Sequence, residues 1–127
     1  MLPEGIENLP ITQWTNKHEN FTHQVSGASF KLYNPKPNGT RRERYLATTK
    51  NFQWLIKHAK NNALKLRAMG SGWSFTKVGV TEGGIVDTAS LNFSFPITAE
   101  YVSPLYSKTA EDLYFLQCGC LVYEINN

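Results

Sequence analysis

The sequence predicts an α+β fold: a small mixed sheet with a β-α-β unit packed by one main helix, incomplete at its C-terminus. Three observations predict it. Phe52, Leu55, Ile56 and Ala59 stand at i, i+3, i+4 and i+7, the spacing of one helical face. On either side of them, Ala28 to Tyr33 and Leu64 to Met69 alternate in the way short strands do. At 127 residues, 41% of them apolar and 18% charged, the chain has the size and composition of one domain around one core.

The first thirty residues are polar and weakly periodic, with Trp14 and Phe21 as large anchors before Phe30. The strand Ala28 to Tyr33 is closed by the Pro/Gly/Asn-rich turn Asn34 to Thr40. Arg44 to Thr48 (RYLAT) reads as a second strand, and the helix follows with Thr48 or Thr49 as N-cap. Lys57, His58 and Lys60 suit its C-terminal end electrostatically, and Asn61-Asn62 stop it. Leu64, Leu66 and Ala68 then alternate with Lys65, Arg67 and Met69, so strand, helix and strand imply a right-handed crossover and a parallel pairing. After the loop Thr81 to Gly84 come a strand at Ile85-Val86-Asp87, a turn at Ser90-Leu91-Asn92, strands at Ile97 to Val102 and Tyr114 to Gln117, and a helix starting within Leu121 to Asn127. No internal repeat or linker interrupts this order.

Thirteen Lys and Arg against ten Asp and Glu give a net charge of +3, too weak a field to argue for a nucleic-acid partner. The densest basic cluster, Lys36, Arg41, Arg42 and Arg44, falls in NPKPNGTRRER and reads as a solvated surface turn. No apolar run approaches the roughly 20 residues of a membrane helix, and MLPEGIENLP has neither a basic nor an apolar leader region. The expectation is a soluble, cytoplasmic chain without a membrane partner, in which the sequons at Asn20, Asn38 and Asn92 have no mechanism. Cys118 and Cys120, two apart in an extended chain, would have Cα atoms about 6.5–7 Å apart, at or beyond disulfide reach. His18, His23 and His58 lack metal-ligand spacing. Asp87 reads as ending a strand and Glu111 and Asp112 as capping one, so no catalytic base is nominated.

The chemistry-bearing feature is Gly70-Ser71-Gly72-Trp73-Ser74-Phe75, which follows a strand directly. Two glycines flanking a serine permit positive φ and close approach, so successive backbone N–H groups can converge on an anion. Gly70-x-Gly72 lacks the third glycine and the following helix of the dinucleotide fingerprint, and no Gly-Lys-Ser/Thr of a P-loop is present. A plain turn is the competing reading.

The run Leu66 to Phe75, with the helix ending in Ala59 before it and Ile85-Val86-Asp87 plus Leu91 after it, resembles the FAD-binding (PCMH-type) domain of the vanillyl-alcohol oxidase superfamily. The look is that of FAD-linked sugar-lactone, alditol and sterol oxidases. That family's early Trp-x-Asn is matched by Trp14-Thr15-Asn16, and its small-Gly-small turn before a helix by Cys118-Gly119-Cys120. The resemblance spans residues 11–127. It implies that the backbone of Gly70, Ser71, Gly72, Trp73 and Ser74, beside Phe75, wraps the FAD pyrophosphate. The Ser71 and Ser74 hydroxyls would be extra donors, and Gly119 would lie near the flavin or its ribityl chain.

Two departures from the family pattern matter. Many members carry His where Trp73 stands and bind flavin covalently through it, so Trp73 implies noncovalent FAD. Members often have Pro at about the position of Thr48 as well. The family's domain also continues past the small-Gly-small turn into a substrate domain, so residues 1–127 correspond to the N-terminal portion of an FAD-binding domain, without the substrate domain. The implied partners are FAD and, in the full-length parent, a small-molecule alcohol. An unpaired edge and an apolar face at Leu113, Phe115 and Leu121 would favour self-association of the fragment. The competing class is a small non-catalytic nucleotide- or protein-binding module.

Overall fold

Thr40-Arg41-Arg42-Glu43 has the Thr-x-x-Glu pattern of a capping box, and the main helix, α1 (Arg41–Asn61), starts there. Thr40 Oγ1 accepts from the Glu43 N–H at 3.2 Å while the Thr40 N–H donates to Glu43 Oε2 at 2.8 Å. With two donors satisfied at this point, the backbone turns helical before Arg44. Arg44 to Thr48 is therefore helix and not the expected strand, and Thr48 and Thr49 lie inside α1 and not at its N-cap. Arg41, Arg42 and Arg44 likewise belong to the first turns of α1, not to the surface turn the composition suggested. The expected stop is where the sequence put it: Asn62 caps the end, donating its backbone N–H to His58 O at 3.1 Å and its side-chain amide at 2.8 Å.

The computed structural model describes residues 1–71 and 76–126. Among the described residues the strands are β1 (Ile6–Asn8), β2 (Gln13–Thr15), β3 (Thr22–Gln24), β4 (Phe30–Tyr33), β5 (Leu66–Met69), β6 (Gly84–Ser90), β7 (Ser94–Pro96) and β8 (Tyr114–Leu116). Four of them form a mixed sheet in the order β1-β4-β6-β5, antiparallel at β1 and parallel elsewhere. The fold is a small α+β domain with one main helix. The first strand of the expected β-α-β unit, Arg44 to Thr48, is thus helical; the strand that does precede α1, β4, runs in the same direction as β5, yet the two do not pair with each other. β6 separates them, because Ile85, Val86 and Thr88 are all buried and a strand with both faces covered belongs in the middle.

Ile6, Phe30, Leu32, Leu55, Val86 and Leu91 form the core, and Phe52, Trp54, Leu64 and Leu66 pack against it. Of the predicted helical face, Leu55 is buried and Phe52 and Ala59 are half-buried, but Ile56 is 67% exposed, so α1 is rotated relative to that prediction.

The polar first thirty residues hold a hairpin, β2 with β3, closed where Asn16 Oδ1 accepts from the Asn20 N–H at 3.2 Å and where Trp14 meets Phe21. In the C-terminal segment β7 pairs with β8 in a separate two-stranded sheet. Between them Ile97 to Val102 is not the expected strand. The Tyr101 and Val102 N–H groups bond back to Thr98 and Ala99, which makes a 3₁₀ turn at Ala99–Tyr101. A short helix, α2 (Val122–Ile125), ends the described chain. No helix among the described residues is long and apolar enough to cross a membrane.

Candidate functional site

β4, β5 and β6 point the same way, so their carboxyl ends share one edge of the sheet. That edge is where open α/β sheets bind ligands, because the loops leaving it can aim N–H groups outward. β5 ends at Met69, opposite Asp87 of β6, and delivers Gly70 and Ser71 there, both exposed. A Cβ added at Gly70 would meet nothing within 4 Å. Gly70 does not take the positive φ that a glycine permits, and its position is exposed among the described residues. Gly72, Trp73, Ser74 and Phe75, the remainder of the expected cradle, lie outside the described residues.

Gly119 reaches the same edge from the other side of the sequence. Its N–H donates to Leu91 O at 2.8 Å, just past the end of β6, and a Cβ there would sit 2.2 Å from Thr88 O and 2.8 Å from Ala89 O. Only glycine fits so close to three backbone carbonyls. Thr88, buried, lies beside both: its Oγ1 donates to Met69 O, next to Gly70, at 3.3 Å, and its carbonyl faces Gly119. The structure thus brings Gly70, Ser71 and Gly119 to one edge beside a residue that sequence reading did not single out.

The turn bearing Gly119 is anchored one step earlier. The buried Gln117 accepts at Oε1 from Asn34 Nδ2 (3.2 Å) and from the Phe93 N–H (3.0 Å). Its Nε2 donates to Asn34 Oδ1 (3.3 Å) and Thr48 Oγ1 (3.4 Å). All its hydrogen-bonding groups are used, which fixes the exit of β8 against α1 and the end of β4. Cys118 and Cys120 are free thiols.

The basic cluster that composition assigned to solvent is partly engaged. The Arg44 guanidinium lies 3.7 Å from the Phe93 ring centroid and that of Arg41 4.8 Å from Phe95. Phe95 stacks on Phe115 at 4.9 Å, and Tyr45 meets Phe115 edge-on at 5.7 Å. Phe115, Leu113 and Leu121 are half-buried.

The candidate carboxylates have structural work. Asp87 lies inside β6, not at its end, and Oδ1 accepts from the Ala89 N–H at 2.9 Å. Glu111 and Asp112 stand in a 3₁₀ turn before β8, where Asp112 accepts from Thr109 Oγ1 at 3.3 Å. Glu43 is held below the usual carboxylate range, chiefly by the Thr40 backbone N–H and next by the Thr40 side chain. Thr40-x-x-Glu43 was the sequence signal that would have found this helix start, and with it the arginines' helical setting. No family model, curated protein or solved structure matches the chain.

Proposed function

We propose that this chain supplies the pyrophosphate-holding part of an FAD site in a flavin-dependent oxidoreductase that acts on an alcohol-type substrate. The observation that carries the reading is the position of Gly70-Ser71 and of Gly119 at the carboxyl ends of β5 and β6, with Thr88 bonded to Met69 and close to Gly119. The donor chemistry fits the group: exposed backbone and the Ser71 hydroxyl at an open position suit a diphosphate, which is all oxygen acceptors. The resemblance described above would add Gly72, Trp73, Ser74 and Phe75 to the same cradle. FAD, when bound, supplies hydride acceptance; the chain's residues bind and orient it. Trp73 has no imidazole with which to make a flavin bond, so the cofactor is held noncovalently.

Titration of the ¹⁵N-labelled chain with FAD and with ADP tests this. The amide signals of Gly70, Ser71 and Gly119 are expected to move together in a weak, saturable fashion, and equally in Arg42→Ala. Absence of any shift at those residues up to millimolar ligand overturns the reading. Micromolar binding by a well-behaved monomer would favour a self-sufficient nucleotide-binding module instead. Acid precipitation of the FAD-loaded protein should leave the flavin in the supernatant.

A further inference from the structure

The first turn of α1 and the segment from β7 into the 3₁₀ turn Ala99–Tyr101 enclose a cleft of about 450 Å³. Its walls combine two kinds of side chain. Arg41 and Arg42 line it together with the rings of Tyr45, Phe95 and Tyr101. The Arg41 guanidinium is already seated over Phe95, which orients its fork before any ligand arrives. Glu100 is the one carboxylate in the lining, and it accepts from Thr98 Oγ1 at 3.2 Å. Two guanidiniums against one carboxylate leave the cleft positive, and its volume lies within the range of small-molecule sites.

We propose that this cleft binds a small aromatic anion, a planar ring carrying a phosphate or carboxylate. The ring lies against Tyr45 and Tyr101, while Phe95, taken up by Arg41 and Phe115, holds the guanidinium in place. Its anionic group takes the planar donors of Arg41 and Arg42, a geometry that matches a carboxylate or phosphate two oxygens at a time. A cation is repelled by the same pair, and an inorganic anion uses the arginines but leaves the rings bare. The cleft contains none of the residues assigned to the FAD cradle, so this inference stands or falls separately from that reading.

Phenyl phosphate is the probe, with cyclohexyl phosphate and inorganic phosphate as comparisons, each titrated into the ¹⁵N-labelled chain. Phenyl phosphate should bind saturably and shift the amides of Tyr45, Phe95 and Tyr101 while leaving Gly70 and Gly119 in place. Cyclohexyl phosphate should bind several-fold more weakly, and inorganic phosphate more weakly still. Arg42→Gln, at an exposed position, should keep the wild-type melting temperature and lose about tenfold in affinity, the scale of one charge-assisted bidentate contact. Tyr101→Ala, at a side chain 80% exposed, should lose phenyl phosphate affinity while leaving that for inorganic phosphate unchanged. No saturable binding, equal binding of the three anions, or unchanged affinity in both variants overturns the proposal.

Discussion

Residues 30–91 and residues 92–126 are held by different physics. Within the first region lie Phe30, Leu32, Leu55, Ile85, Val86 and Leu91, each 5% exposed or less. In the second, among the described residues, the one buried side chain is that of Gln117, and it is polar. The sheet and α1 are assembled by burial of apolar area, which is non-directional and tolerant of detail. The C-terminal segment is instead clasped by directional contacts: the Gln117 amide, the arginine-on-ring pairs and the Gly119 turn. The lesson is that the part of the molecule that brings Gly119 to the strand ends is the part least able to stand alone. Four substitutions test the distinction.

Phe30→Ala, which empties a fully buried site in the sheet, should cost about 3–5 kcal/mol and lower the urea midpoint of the whole chain. If protection were lost only in residues 92–126, the two regions would not differ as described. Gly119→Ala places a methyl among backbone oxygens that no side-chain rotation can move, at an expected cost of about 1–3 kcal/mol. Amide exchange should quicken across β7 and β8 and stay slow in β4 and β6. Unchanged exchange in β8 would mean the turn relaxes without leaving the sheet.

Gln117→Leu strands the Phe93 N–H and the Asn34 amide, and about 1–2 kcal/mol should be lost, again at the C-terminal segment first. Equal losses in both segments would show that the polar clasp supports the core as well. The smallest effect is expected at Thr40→Ala, about 1 kcal/mol, read from the thermal midpoint. Its pH dependence has a definite sign. Glu43 has a folded pKa below its unfolded value, so its capping contribution is present above the ordinary glutamate range and is lost as pH falls through the lower, folded value. The gap between wild type and Thr40→Ala should therefore narrow in acid, and a gap that widened would rule out the capping box as its source.

Much of the first region was legible in the sequence and less of the second. Leu66 to Met69, within the expected Leu64 to Met69, and Ile85 to Asp87 sit in strands, while Leu64 and Lys65 fall before β5; Asn61-Asn62 marks the helix end. The start of α1 was misplaced because RYLAT reads as a strand when the capping box before it is overlooked. Ile97 to Val102 failed for another reason. Its apolar spacing suits a strand, but β8 pairs with Ser94 to Pro96; the Ile97 N–H still reaches Leu113 O, and beyond it the Tyr101 and Val102 N–H groups bond back into a 3₁₀ turn. At the candidate site, Gly70 and Gly119 were visible as glycines, whereas Thr88, which lies beside both, carries no local signal.

The sequence by itself determined the α+β class, the one long helix and its stop, and the strand end at Met69-Gly70, because capping, periodicity and glycine chemistry act over a few residues. The tertiary structure alone decided that β6 lies between β4 and β5, that Gln117 closes on Asn34, and that Arg41 and Arg44 rest on aromatic rings. Asn34 and Gln117 are 83 positions apart. A hydrogen bond over that separation exists only after the core has fixed where both backbones run, so no local pattern in the chain could encode it.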